Sequence, residues 1–426
     1  MSIVFSPYTR IVETVAALLL IAYPSLMFTV KGGMNGAFLF LLILALVVWA
    51  VRPVGMAKVV WNGELALYLC AMVALSCAIF ISQSVHQHYD GHPYDAASRY
   101  FLAVPVLLLL SRLRFAVVTL VAYGFPLATI AGLIVATRLE DGRLLVLFMD
   151  LIHFGDFELL LGVLSLLSID WVGRDKLLLR MLKIAGFVVG IYVSMRTGTR
   201  GGWVALPVFA LIFMRYRLGS FSLKAISAAV MLMSVLCLPV YLFNPVIHDR
   251  VNMVEKDLIA FGAGSMDTDT GIRLQLYKAA GIIFVNHPLF GVGPEGFRRE
   301  LEPMVKAGLI TENAAILGQG EVHNELLAKA AELGLFGLIA MLMVYLVPFR
   351  FFYRAMCSEV RPIRQSGMMG LVFVSGFMVF GLTVEVLNLT LAAAFYGLTV
   401  AVLLAACMNI HHGEHYSPIN FKATHV

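Results

Sequence analysis

Two arginines stand four residues apart in a segment of small residues, Arg196-Thr-Gly-Thr-Arg200-Gly-Gly-Trp203. Guanidinium groups bind phosphate oxygens through paired hydrogen bonds, and the small residues around them let a ligand approach the backbone. The segment therefore favours binding of a phosphate or a diphosphate group. The alternative interpretation is that both side chains extend toward lipid headgroups and bind no specific ligand.

A histidine with acidic neighbours forms the second candidate site, in the sequence Glu321-Val-His323-Asn324-Glu325. A neutral imidazole accepts a proton from an attacking hydroxyl near pH 7, and a carboxylate beside it orients the ring or stabilises its charged form. We therefore expect His323 to act as a general base, on a helix that starts near Gly320 and continues into the next apolar segment. A purely structural hydrogen bond from His323 is the alternative.

A third group of polar side chains lies on an expected helix over residues 272–285, which ends where a proline follows His287. Arg273 and Lys278 on this helix bring positive charge toward an anionic lipid, or else pair with acidic neighbours. The glycine-rich stretch that begins at Gly291 predicts a tight turn, because no preceding strand supports a dinucleotide-binding interpretation.

Four ionisable residues cluster at the outer end of one apolar segment: Asp150, His153, Asp156 and Glu158. Charged groups at such depth are costly, so this cluster predicts a functional role. Asp267-Thr-Asp269 resembles a metal-diphosphate motif, but its Gly/Ser/Thr-rich surroundings favour a solvated turn. The histidines from His86 to His92 lack acidic ligands at fixed spacing. We therefore predict no metal site and no cofactor.

The composition shows which class of protein carries these residues. Hydrophobic residues make up 60% of the 426 residues and charged residues only 13%, which excludes a soluble globular domain. The sequence predicts an all-α polytopic membrane protein with about twelve transmembrane helices. Their expected windows are residues 11–30, 36–51, 63–83, 97–111, 115–136, 151–169, 181–195, 201–216, 224–243, 333–352, 366–386 and 389–409.

The distribution of lysine and arginine predicts the orientation of these helices. Short connections on one side hold seventeen basic residues and those on the other side hold six, so both termini are expected in the cytoplasm. The net charge of +5 therefore reports topology, and we expect no nucleic acid partner. The expected organisation is nine membrane helices, a large helical outer loop, three further membrane helices and a cytoplasmic tail, over residues 1–243, 244–322, 323–410 and 411–426.

Three elements in this order resemble the O-antigen ligase and polymerase superfamily. They are Thr-Arg-Gly-Gly-Trp after an apolar segment, the Arg273 helix leading into Asn-His-Pro-Leu-Phe-Gly-Val-Gly-Pro-Glu-Gly-Phe, and Val-His-Asn-Glu-Leu before the next span. The resemblance covers residues 192–337. It implies a GT-C-type glycosyltransferase of the bacterial inner membrane that transfers O-antigen polysaccharide from undecaprenyl diphosphate to lipid A core oligosaccharide. The site would face the periplasm.

The resemblance also implies roles for single residues. His323 matches the essential histidine of the family, and Arg200 and Arg273 match its essential arginines. Four further residues complete the predicted substrate-binding set by their position beside these three: Arg196, Asn324, Glu325 and Lys278. Because a diphosphate leaving group already activates the donor, the expected reaction needs no metal and inverts the anomeric carbon. The alternatives are an O-antigen polymerase, a protein O-oligosaccharyltransferase and, from another class, a lipid-linked glycan transporter.

Overall fold

The computed structural model describes residues 7–51, 61–140, 142–199, 201–219, 266–319 and 321–408, with the single residues 227 and 231. These ranges contain the helices α1 (Pro7–Thr29), α2 (Gly33–Val51), α3 (Gly63–His86), α4 (Tyr94–Leu110), α5 (Phe115–Val118), α6 (Val121–Val135), α7 (Leu151–Leu167), α8 (Leu177–Thr197), α9 (Ala205–Leu218), α10 (Asp269–Asn286), α11 (Phe297–Lys306), α12 (Glu312–Gly318), α13 (Glu325–Met356), α14 (Arg361–Phe380) and α15 (Thr390–Met408). Short 3-10 helices lie at Gly201–Val204 and Val386–Asn388. Strands β1 (Thr137–Arg138) and β2 (Leu144–Leu145) form an antiparallel hairpin.

The expected all-α polytopic membrane protein is confirmed. Within the described ranges, nine helical segments are long and apolar enough to cross a membrane. Helices α4 and α7 fall on two further predicted windows, but each has only 17 residues. Most of the predicted window 224–243 lies outside the described residues, as do residues 244–265 and the expected cytoplasmic tail. The number of twelve spans remains a prediction.

The centre of the bundle is an aromatic core between α7, α14 and α15. Phe157 on α7 stacks on Phe377 of α14, with 5.7 Å between ring centroids, and Phe373 meets Phe395 of α15 edge to face at 5.3 Å. Such ring pairs add to the stabilisation from apolar burial. Helices α14 and α15 are buried along most of their length, whereas α8 is largely exposed. The rigid core therefore supports the outer ends of α7 and α14.

The outer loop has a small core of its own. Leu276 on α10, Leu301 on α11 and Ala314 on α12 are buried together, and the cluster continues onto Ala328 at the start of α13. The predicted helix over residues 272–285 is confirmed as α10. The glycine-rich turn is also present, and the N–H of Gly293 donates to the Glu332 carbonyl on α13 at 2.9 Å. A backbone hydrogen bond therefore holds the outer loop against the first turns of α13.

The expectation of a helix starting near Gly320 is wrong. Helix α13 begins at Glu325, and its N-cap is Asn324, whose side-chain oxygen accepts a hydrogen bond from the N–H of Leu327 at 3.0 Å. His323 has a φ of 62°, which does not fit a right-handed helix. Asparagine favours caps over helix interiors because its side chain competes for backbone groups. His323 therefore lies in a short connection, and Gly320 is outside the described residues.

Candidate functional site

His323 and Glu321 form an accessible acid–histidine pair. The Nδ1 atom of His323 lies 2.6 Å from Oε1 of Glu321, within ion-pair distance although not aligned as a standard hydrogen bond, and 21% of the His323 side chain is exposed. Burial raises the pKa of Glu321, but the hydrogen-bonding capacity and the charge of His323 outweigh burial and hold this pKa below its ordinary value. The carboxylate is therefore ionised at neutral pH and orients the imidazole.

Tyr277 holds the backbone of His323 in place. Its hydroxyl lies 2.9 Å from the His323 carbonyl and 3.0 Å from the Leu382 carbonyl, so it donates to the two connections that meet above α13 and α14. The N–H of Glu325 donates to the Gly381 carbonyl at 2.7 Å across the same junction. A non-glycine residue at positive φ is strained, and these contacts stabilise His323 in that conformation.

Three glutamates link the connection before α13 to the connection after α14. Glutamates of each connection accept hydrogen bonds from backbone N–H groups of the other. The N–H of Val322 donates to Oε1 of Glu385 at 2.5 Å, and the N–H of Glu385 donates back to Oε2 of Glu321 at 3.1 Å. The N–H of Leu387 donates to Oε2 of Glu325 at 2.7 Å. Carboxylates that accept backbone hydrogen bonds are fixed in direction. The network therefore fixes the carboxylate that contacts His323.

Arg273 brings a positive charge to Tyr277, the residue that holds the backbone of His323. It lies four residues before Tyr277 on α10, and residues four apart share a helix face. Burial raises the pKa of Tyr277, whereas the nearby Arg273 charge opposes that shift. The Arg273 guanidinium is half-buried and makes no hydrogen bond or ion pair within the described residues. Its donors are thus available to an anion on the side of α10 that carries Tyr277.

A second acid–histidine pair lies at the start of α7. Asp150 caps the helix by accepting hydrogen bonds from the N–H groups of Ile152 and His153, and its other oxygen lies 2.5 Å from Nδ1 of His153. The His153 side chain is 5% exposed, and its Nε2 has no hydrogen-bond partner in the described part of the chain. The charge of His153 also contributes to the low pKa of Glu321. The two pairs therefore lie close together.

The connection after α8 packs between α7 and the loop after α14. A side chain at Gly202 would collide with the Asp156 carboxylate on α7, and one at Gly201 would collide with Thr383. The two glycines thus allow a close approach of backbones. Thr199 contacts Thr197 through their hydroxyl groups at 3.0 Å. Arg200, a predicted catalytic residue, lies outside the described residues, but its neighbours on both sides belong to this junction.

The other predicted substrate-binding residues have different surroundings. Asn324 caps α13, and Glu325 is fully buried with its carboxylate on the N–H of Leu387. Lys278 is exposed on α10, about 100° around the helix from Tyr277. Arg196 donates to the Gly142 carbonyl at 2.6 Å, in the turn between β1 and β2. The structure thus brings together His323 and Arg273, while these four lie in the supporting network, on the surface or at the hairpin.

Sequence reasoning missed the role of Tyr277 and missed Glu385 entirely. Glu385 fell inside the predicted window 366–386, but α14 ends at Phe380 and Glu385 lies in the connection that follows. An acidic residue within a predicted span was a usable signal, because such a residue is costly in lipid. Tyr277 carried no signal, since its partners are carbonyl groups distant in sequence.

A cavity of about 350 Å³ is lined by Glu321 and not by His323. Its walls include Glu385 together with Lys329 and Glu332 of α13, whose side chains form an ion pair at 3.7 Å. Lys329 also donates to the Asn388 side chain at 2.5 Å. This volume accommodates several water molecules with polar partners. Among the described residues, no group of three or more side chains has the arrangement of a metal site.

Comparisons with known proteins agree with this arrangement. Residues 185–342, which hold the connection after α8, the outer loop and His323, match the family described as O-antigen ligase. The chain is 24% identical over 268 residues to an uncharacterized protein of Haemophilus influenzae, covering 61% of this chain and 66% of that protein. It is also 24% identical over 197 residues to an O-antigen ligase of Escherichia coli, covering 46% of each.

The chain thus spans less than two thirds of the length of these curated relatives. The matched family region coincides with the part of the chain in which α10, the Glu321–His323 pair and the first turns of α13 meet. Sequence motifs, their order and the family match all agree. Over residues 185–342 the chain is therefore similar to the O-antigen ligase family.

Proposed function

We propose that this protein is a glycosyltransferase of the bacterial inner membrane, which transfers O-antigen polysaccharide from undecaprenyl diphosphate to lipid A core oligosaccharide at the periplasmic face. The observation that carries the proposal is the Glu321–His323 pair, held by Tyr277, on the same helix face as an Arg273 guanidinium that has no ion-pair partner among the described residues. A base next to a fixed positive charge suits attack by a hydroxyl on a carbon that carries a diphosphate.

In the proposed reaction, the acceptor hydroxyl oxygen bonds to the anomeric carbon of the donor as the bond from that carbon to the diphosphate oxygen breaks. The hydroxyl proton passes to Nε2 of His323, because Nδ1 faces Glu321. The negative charge of Glu321 stabilises the imidazolium that forms. Direct displacement leaves the anomeric carbon inverted, and no metal enters any step.

The bonding electrons leave with the diphosphate, so its negative charge grows as the reaction proceeds. Arg273 and Arg200 would stabilise this charge through paired hydrogen bonds. Fixed donors aimed at developing charge lower the barrier more than donors that must reorganise. The hydrocarbon tail of the donor would remain in the bilayer, which agrees with the position of the pair above the ends of α13 and α14.

The direct test mixes the purified full-length protein in lipid nanodiscs with carrier-linked glycan and lipid A core. We expect a joined glycolipid, no joined product with His323→Ala, and weaker use of the donor with Arg273→Ala. His287→Ala is the matched control, because His287 is an exposed histidine that follows α10 and lies outside the network around His323. Full transfer by His323→Ala would contradict the assigned base.

The same mixture tests the choice of acceptor. Carrier-linked glycan alone yields longer carrier-linked chains if the protein is a polymerase, and the ligase proposal then fails while the assigned base stands. The first two results are read from the chemical identity of the glycolipid product. In sealed liposomes, movement of the donor across the bilayer with no joined product would contradict the proposed enzymatic activity.

A further inference from the structure

Helix α10 carries apolar side chains on two opposite faces. One face packs into the core of the outer loop through Leu276 and its neighbours. The exposed face of α10 consists of Leu274, Lys278, Ile282 and Val285, which fall within an arc of about 80° at 100° per residue. Val285 is 74% exposed, Leu274 is also exposed and Ile282 is partly exposed. A helix that is apolar on all sides is normally buried on all sides, so the exposed face needs an apolar environment of its own.

Helix α11 shows how a helix of the same loop faces water. Its inner side buries Phe297 and Leu301 in the core that α10 also contacts. Its outer side carries the exposed charges of Arg298, Glu302 and Lys306, and Lys306 donates to Glu302 at 2.7 Å. An apolar stripe opposite a charged face is typical of a helix between a core and water. Because both helices pack on one core, the difference between them lies in what their outer faces contact.

The chain that follows α10 meets α13 at a kink. Gly334 of α13 has a φ of 65°, and a methyl group placed on it would lie 2.3 Å from the carbonyl carbon of Leu289. The ring of Phe290 stacks on that of Phe336, with 5.7 Å between centroids. After the kink, residues 335–356 form a helix about 33 Å long at 1.5 Å per residue, which is enough to cross the hydrocarbon of a bilayer. The exposed Leu289 therefore lies beside the outer end of a membrane span.

We propose that the exposed face of α10, together with Leu289, inserts into the bilayer leaflet next to the outer loop. The apolar side chains lie at the boundary between headgroups and acyl chains, and the ammonium group of Lys278 extends to lipid phosphates. The bilayer is the occupant because this face ends beside the membrane span of α13. Insertion would hold α10 at a fixed depth, and with it Tyr277, which holds the backbone of His323. The proposal does not depend on the transfer reaction.

Nitroxide spin labels test the proposal on the full-length protein in phospholipid nanodiscs, with its five native cysteines replaced by serine. Ile282→Cys and Val285→Cys place the label on the exposed face of α10, and Glu302→Cys on α11 is the matched control. Oxygen concentrates in hydrocarbon, whereas a hydrophilic nickel chelate stays in water. We expect the ratio of oxygen to nickel accessibility to be several-fold higher at positions 282 and 285 than at 302. A ratio as low as that at 302 at either position would overturn the proposal.

A photoreactive phenylalanine analogue distinguishes lipid from protein at the same face. It replaces Val285 in one variant and Glu302 in the control, and both proteins are irradiated in the same nanodiscs. Mass spectrometry should find phospholipid adducts at position 285 and none at position 302. Adducts from position 285 to another segment of the chain, or to a second copy of it, would overturn the proposal, because protein rather than lipid would then cover the face.

Discussion

The connection before α13 and the first turn of α7 each hold a carboxylate against Nδ1 of a histidine, yet the two pairs differ in access. His323 is 21% exposed and its partner Glu321 is held by the backbone of Glu385. His153 is 5% exposed, whereas its partner Asp150 is largely exposed. Both side chains of the first pair are partly exposed, whereas in the second pair only the acid is exposed.

This difference in access favours different functions for the two pairs, although their chemistry is similar. A general base must reach the proton it accepts, either directly or through one water molecule, and only His323 has a side chain open to a ligand. His153 is enclosed near Glu321, where its charge helps to keep that carboxylate ionised. We therefore propose that His323 touches the reacting atoms, while His153 acts on Glu321 through its charge.

The largest expected effect separates the two histidines. His323→Gln removes the proposed base and should slow transfer by about 100- to 10,000-fold, the usual range for loss of general base catalysis. His153→Gln keeps a polar group of similar size and should slow transfer far less. Rates of product formation in nanodiscs at saturating donor measure both. Equal losses in the two variants would show that access does not distinguish the pairs.

The next prediction concerns Glu321 and has a defined pH dependence. Glu321→Gln should slow transfer by about tenfold or more, because a neutral amide no longer stabilises the imidazolium that forms when His323 accepts the proton. The folded protein lowers the pKa of Glu321 from its ordinary 4.5, so its contribution to the free energy of unfolding is present above pH 4.5 and is lost as the pH falls through the lowered value.

Thermal unfolding at several pH values measures how the contribution of Glu321 to stability depends on pH. The Glu321→Gln variant should be less stable than the unmodified protein at pH 7, and the difference in melting temperature should shrink below pH 4.5. Glu312→Gln is the matched control, because Glu312 is exposed on α12 and its side chain has no hydrogen bond or ion pair within the described residues. A stability difference that stays constant down to pH 3 would show that Glu321 has no ion pair in the folded state.

Tyr277→Phe should have a moderate effect. It removes one hydroxyl that bridges the His323 and Leu382 carbonyls, which costs about 1 kcal/mol of unfolding free energy and leaves the aromatic ring in place. We expect a several-fold lower kcat with little change in the donor concentration that gives half-maximal rate. Tyr89→Phe, an exposed tyrosine on the same face, is the control. An unchanged kcat would mean that Tyr277 does not position His323.

The sequence predicted the helical membrane fold, α10 and the glycine-rich turn because apolar windows, helical spacing and turn residues are local signals. It also identified His323 and Glu321, which are two residues apart. It placed them on a helix, since nothing local shows that Tyr277 and the connection after α14 stabilise a left-handed His323. Glu385 was missed because its partners lie more than sixty residues away in sequence. Contacts between connections that are far apart along the chain leave no periodic pattern in the sequence.

The smallest expected effect concerns a third acid–histidine pair, on the outer surface. His92, between α3 and α4, contacts Glu295 of the outer loop at 2.7 Å, and both side chains are more than half exposed. The hydrogen bond and the charge of Glu295 raise the pKa of His92 above 6.5, and Asp95 and Asp90 add to this. The pair therefore stabilises fully below pH 6.5 and loses its contribution as the pH rises through the raised value.

An exposed pair contributes at most about 1 kcal/mol to the free energy of unfolding. We therefore expect His92→Ala to lower the melting temperature slightly at pH 5.5 and not at pH 8.5, with transfer almost unchanged at either pH. His88→Ala removes an exposed histidine nearby that has no such partner within the described residues. A loss of transfer as large as that of Glu321→Gln would show that docking of the outer loop at the surface controls the site as strongly as the pair beneath it.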